Sequence, residues 1–164
     1  MSRLIATVFG IGLIPFAPGT WGSLAAIPMA YGLHYLGGFP ALLVATIAVY
    51  FLGLWATTEV TRGSDNHDPS EIVIDEVAGQ WTALLGVSAG LWFAGAAPEV
   101  FPYPGWVSAF VLFRLFDIWK PWLVGWADRK TTPTGVMLDD VIAGIFAMVI
   151  TVAAAGISHG LLMK

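Results

Sequence analysis

Ile74-Asp75-Glu76-Val77-Ala78-Gly79-Gln80-Trp81-Thr82-Ala83-Leu84-Leu85 sets two adjacent carboxylates directly ahead of an apolar run that continues without a charge to Ala97. A helix needs about 20 residues to cross a hydrocarbon core of roughly 30 Å, and this run is long enough to do so. Carboxylates left unpaired at the rim of such a core are costly, so Asp75 and Glu76 call for nearby cations.

The pattern repeats on both sides. Further uncharged apolar stretches run from Gly22 to Gly37, Ala41 to Thr58, Val100 to Phe113 and Val141 to Ser158, which makes about five membrane helices in all. The first and fourth are short for a crossing. Gly37-Gly38-Phe39-Pro40 and Pro98-Glu99-Val100-Phe101-Pro102-Tyr103-Pro104 have turn chemistry suited to connections between consecutive spans. Leu4 to Ile14 is apolar but too short to cross, and is expected to form an amphipathic or re-entrant segment. It lacks a polar cleavage region and is read as mature protein rather than as a secretory signal. The expected fold class is therefore all-α: a polytopic integral membrane helical bundle, one domain over residues 1–164.

Composition agrees. The chain is 57% hydrophobic and 11% charged, with a mean hydropathy of +0.78, far from the usual soluble balance. It has no cysteine, which excludes disulfides, thiolate metal sites and a cysteine nucleophile. A net charge of −4 with seven Lys and Arg provides no basic stripe for nucleic acid.

Threading the five stretches places Arg3, Arg62, Arg114, Lys120, Arg129 and Lys130 on one side of the membrane and Lys164 on the other. The positive-inside rule makes the first side cytoplasmic. Glu59, Asp65, Asp68, Glu71, Asp75, Glu76, Asp117, Asp128, Asp139 and Asp140 fall on that same side, leaving Glu99 opposite. Acids and bases from separate segments thus converge on one surface. A pore would need polar groups through the bilayer depth, where the spans offer little beyond His34 and Gln80.

Several segments could carry chemistry there. Gly19-Thr20-Trp21-Gly22-Ser23 offers backbone N–H groups and the Thr20 and Ser23 hydroxyls at a helix start, which suits an anion and equally suits an ordinary capped helix. His67-Asp68-Pro69-Ser70-Glu71 has the form of a helix N-terminus, with Asp68 as cap, Pro69 at the first helical position and Glu71 closing a capping box. His67 is a candidate proton shuttle or a solvated loop residue. Asp75 and Glu76 follow about two turns later at the hydrocarbon edge; Mg2+ or salt bridges across the bundle would compensate them. Arg114, Asp117 and Lys120 recur at a spacing of three and share one helix face, as phosphate ligands or as an internal ion-pair row. Asp128-Arg129-Lys130 lies in the following loop, and Asp139-Asp140 opens the last span. Helix-dipole stabilisation readily accounts for one acid there, less readily for two. Four carboxylates from two helix ends, Asp75, Glu76, Asp139 and Asp140, together with Arg114, Lys120 and Arg129, fit a metal–phosphate centre. Asp117 is a possible further catalytic or metal-binding member.

Ala17-Pro18-Gly19-Thr20-Trp21-Gly22-Ser23, Ile74-Asp75-Glu76, Phe113-Arg114-Leu115-Phe116-Asp117-Ile118-Trp119-Lys120-Pro121, Asp128-Arg129 and Gly135-Val136-Met137-Leu138-Asp139-Asp140-Val141-Ile142-Ala143-Gly144, in this order, resemble the phosphatidylglycerophosphatase A family over nearly the whole chain. The resemblance implies a magnesium-dependent phosphatase of the bacterial inner membrane that converts phosphatidylglycerophosphate to phosphatidylglycerol. It leaves open the oligomeric state, the number of metals, and whether water or an aspartate attacks. The rival expectation from another class is a small ion or proton-coupled transporter.

Overall fold

The computed structural model describes residues 1–64, 66 and 68–162, with side chains described through residue 158. The expectations for His67, and for Asp65 and Lys164 in the charge asymmetry, lie outside the described residues. The fold is all-α: α1 (Ser2–Ala6), a 3-10 turn (Ile11–Leu13), α2 (Pro18–Thr61), α3 (Ile74–Phe93), α4 (Tyr103–Trp119), α5 (Leu123–Asp128) and α6 (Pro133–Leu162). Two helices, α2 and α6 through Ser158, are long and apolar enough to cross a membrane by length and composition.

α2 is interrupted at Gly38, whose φ of 64° and ψ of −155° are not helical. Gly22, before the break, and Gly53, after it, show what this does. A Cβ on Gly22 would stand 3.0 Å from Val73 Cβ, and one on Gly53 would stand 3.2 Å from Ile74 Cγ1. A straight helix would hold those two glycines about 46 Å apart at 1.5 Å per residue. Both instead meet neighbouring residues at the start of α3, so α2 is two arms folded back on each other. Pro40 sits in the first turn of the second arm, where its missing N–H has no partner to lose. The turn expected at Gly37-Gly38-Phe39-Pro40 is thus present, packed beneath Trp92 at the far end of α3. Trp92 occupies the space a Gly38 Cβ would need, and positive φ adds strain for any other residue. Gly38→Ala is expected to lower stability by about 1–3 kcal/mol, read as a fall in the thermal midpoint of the detergent-solubilised protein.

α3 is the central helix, packed against α2 and α6. Small residues bring it close to α6: Gly79 lies against the Asp140 carbonyl, Gly86 against Met148 and Val152, and a Cβ on Gly144 would collide with the Gly79 carbonyl. Close helix approach through small residues is the packing expected where apolar burial offers little driving force. The outer surface is greasy, with Val44, Phe51, Phe93, Val111 and Ile118 exposed.

The helix expected to begin at Pro69 begins at Ile74 instead. The Ile72 N–H closes a turn on the Pro69 carbonyl (2.9 Å) and the Val73 N–H donates to the Ala6 carbonyl (2.9 Å), while Glu71 pairs with Arg3 (2.9 Å) rather than closing a capping box. These contacts tie the segment to α1, a long-range competition that local capping rules do not see. Asp75 and Glu76 consequently stand in the first turn of α3, nearer the helix's positive end than expected. Asp139 and Asp140 shift the other way, nearly two turns inside α6, which begins at Pro133.

Candidate metal and phosphate site

The α2 start, the α3 start, the α4 end and the first turns of α6 enclose a polar cavity of about 270 Å³. Asp75, Glu76, Arg114, Asp117, Lys120, Asp139 and Asp140 all line it, with Gly19, Asp68 and Ser70. Seven charged candidates from three separate segments are therefore brought together.

Within the cavity they sort into two groups. Around Arg114, Nη1 donates to Glu76 Oε2 at 2.6 Å and lies 2.8 Å from Asp117 Oδ2. Asp140 Oδ2 is buried without a hydrogen-bond partner among the described residues, as is Arg114 Nε. Carboxylate oxygens of Glu76, Asp117 and Asp140 lie within 4.8 Å of one another, a convergence that unscreened like charges would resist. Around Lys120, Nζ donates to Asp139 Oδ2 at 2.8 Å and to Asp128. Burial works against the Lys120 charge, but the hydrogen bonds it donates to Asp128 and Asp139, and their charges, outweigh it and raise its pKa well above the usual lysine range. Lys120 is held by the end of α4, where it adopts a left-handed φ of 50° as the C-cap.

The converging acids thus differ from the expected four. Asp117 stands with Glu76 and Asp140, whereas Asp139 is engaged by Lys120, and Asp75 Oδ1 accepts the Glu76 N–H at 2.9 Å. Asp75 both accepts a first-turn N–H of its own helix and lines the cavity.

The remaining phosphate candidates lie elsewhere. Ser23 is fully buried, with its Oγ 2.8 Å from the Gly19 carbonyl and 3.0 Å from Glu76 Oε2, so it positions Glu76 from behind. Thr20 and Arg129 are not among the residues lining the cavity; Arg129 is exposed on the loop after α5. Sequence reasoning missed Asp68 and Ser70 as cavity residues because it placed them in a helix start. Gly19, expected as one member of an anion loop, lines the cavity, and the Glu76 carboxylate occupies the space a Gly19 Cβ would fill. Gly19→Ala is expected to push that carboxylate out of register and lower turnover on the order of 10²-fold, with the chain still folded by circular dichroism.

Three carboxylates with oxygen-only donors suit a hard cation such as magnesium, which takes one or two carboxylates and keeps several waters. The Asp140 oxygen without a partner among the described residues would offer a free ligand atom. Arg114, already on Glu76 and Asp117, neutralises only part of the cluster.

Residues 4–155 match the family model of phosphatidylglycerophosphatase A. The phosphatidylglycerophosphatase A of Escherichia coli (strain K12) is 36% identical over 147 residues, 88% of this chain and 78% of that protein. That of Haemophilus influenzae is 36% identical over 153 residues, 92% of this chain and 86% of that one. A Bacteroides thetaiotaomicron protein provisionally named a phosphatidylinositol-3-phosphatase is 37% identical over 158 residues, 92% of this chain and 91% of its own. No solved structure matches the chain.

Proposed function

The chain belongs to the phosphatidylglycerophosphatase A family, and from that premise we propose that it hydrolyses phosphatidylglycerophosphate to phosphatidylglycerol and phosphate, using magnesium, at the cytoplasmic face of a bacterial inner membrane. One observation carries the proposal beyond the family. Six carboxylates and two cations line the cavity, a formal excess of four negative charges where an anionic phosphate monoester must bind. Coulomb repulsion in a half-buried site would exclude that substrate unless a further cation were present.

Glu76, Asp117 and Asp140 are the residues that would hold it, with Asp75 and Asp139 at the margin. Bound there, magnesium would supply Lewis-acid charge for a phosphate in the cavity. The protein's own groups do the rest. Hydrolysis breaks the bond between phosphorus and the headgroup oxygen, joins phosphorus to an oxygen that comes from water and delivers a proton of that water to the departing alcohol, and negative charge spreads over the phosphoryl oxygens and the leaving oxygen on the way. Arg114 lines the cavity and can offer its charge to one of those oxygens, while its two carboxylate partners hold the guanidinium in place. Lys120 brings a second positive charge held in place by Asp128 and Asp139. Preorganised charge of this kind costs no rearrangement as the reaction proceeds.

Membrane insertion is supported by the greasy exterior and by five helical segments: the two arms of α2, then α3, α4 and α6. Their order puts the α2 ends, the α3 start, the α4 end and the α6 start on one side, together with Arg3, Arg62, Arg129 and Lys130. The positive-inside rule makes that side cytoplasmic.

The test is phosphate release by purified protein in detergent, with magnesium and with chelator, from phosphatidylglycerophosphate and from phosphatidylinositol 3-phosphate. Magnesium-dependent release favouring the first lipid is expected, with Asp75→Asn slower by about 10–100-fold. Release unaffected by chelator would remove the metal, and preference for the inositol lipid would remove the substrate assignment. Ion flux in liposomes without phosphate release would put the transporter in the enzyme's place.

A further inference from the structure

Beside the polar cavity lies an apolar groove of about 720 Å³ between the end of α4 and the middle of α6. Phe116 and Phe146 meet edge to face on its wall, ring centroids 5.7 Å apart, and Val149 and Ile150 extend it. Trp119 and Trp122, 70% and 87% exposed, stand at its mouth. Lys120 lines the groove and the polar cavity alike, its ammonium on Asp139 in the cavity.

Two features of this juxtaposition choose the occupant. The first is depth: from Asp139 to Ile150 α6 rises about 16 Å, close to half of a hydrocarbon core of roughly 30 Å. The groove therefore reaches about one leaflet deep from the cavity. The second is the change in chemistry across Lys120, from carboxylates and cations to bare hydrocarbon within one side chain's length. A ligand filling both compartments must carry phosphate at one end and an apolar chain at the other. Exposed tryptophans at the mouth suit the headgroup level where such a ligand would turn.

We infer that the groove between α4 and α6 holds an acyl chain of the lipid whose terminal phosphate enters the polar cavity, so that substrate arrives sideways from the bilayer past Lys120. The inference rests on the lipid-phosphatase reading and assigns the groove a part in recognition. Val149 and Ile150 then act as determinants of chain length and touch no reacting atom.

Val149→Trp fills the groove, and Val44→Trp places the same bulk on an exposed face of α2 away from it. With dipalmitoyl phosphatidylglycerophosphate, Val149→Trp is expected to lower kcat/KM by about tenfold or more, while the dihexanoyl lipid, too short to reach down the groove, changes by less than about threefold. Val44→Trp should change neither. Equal loss for both lipids, or no loss for either, would overturn the inference. Wild-type protein releasing no phosphate from either lipid would instead overturn the enzyme reading beneath it. A photoreactive acyl chain on phosphatidylglycerophosphate offers a test without mutation: crosslinks to the wild-type chain at residues 116–122 or 145–150 support the assignment, and crosslinks confined to residues outside the groove overturn it.

Discussion

Asp140→Asn is expected to slow phosphate release by about 10³-fold or more while raising the thermal midpoint of the metal-free protein. The two effects have one cause. Asp140 is buried beside Glu76 and Asp117, and its Oδ2 has no partner among the described residues. Without a metal, that charge only adds repulsion and uncompensated burial, which asparagine relieves at nearly the same volume. Under the proposed mechanism the same oxygen would help hold the magnesium whose charge steadies the phosphoryl oxygens. Thermal unfolding with and without magnesium separates the roles: the wild-type midpoint should rise with the ion by mass action, and that of Asp140→Asn should rise much less. A variant that is destabilised without metal, yet still shifts with magnesium, would show Asp140 to be a packing residue.

Arg114→Ala should be the most damaging single change to the fold and site together. The guanidinium lies between Glu76 and Asp117, 2.6 and 2.8 Å from their oxygens, and is only 16% exposed. Its removal leaves two buried carboxylates facing each other, a loss of about 3–5 kcal/mol in the absence of metal. Under the proposed mechanism it would also remove a positive charge from the phosphoryl oxygens, where arginines contribute on the order of 10³-fold or more. Arg114→Lys divides these contributions. A lysine retains the compensating charge but not the planar fork, so stability should recover more than turnover. Equal recovery of both would leave Arg114 with a purely structural part.

Much of this molecule can be read along the chain because the signals are local. An uncharged apolar run must find an apolar setting wherever it lies, so the positions of α2, α3, α4 and α6 follow from composition. Gly38 and Pro40 interrupt α2 because backbone geometry depends on the residue itself. The crowding of acids and bases at one end of the bundle follows from consecutive helical segments that reverse direction. Asp75, Glu76, Arg114, Lys120, Asp139 and Asp140, all visible as charges at the ends of apolar stretches, do line one cavity.

What the chain by itself determined, then, was which stretches become helices, where they turn, and which charged residues share an end, since each depends on a residue and its near neighbours. Only the tertiary structure decided that Asp117 joins Glu76 and Asp140, that Lys120 draws Asp139 aside, that Ser23 and Gly19 serve the Glu76 carboxylate, and that Thr20 and Arg129 stay outside. Those outcomes turn on the rotation of each helix about its axis and on gaps of a few ångströms between helices. Both are set by contacts such as Gly79 against Gly144 and Val73 against Ala6, made between residues too far apart in the chain for any local pattern to record.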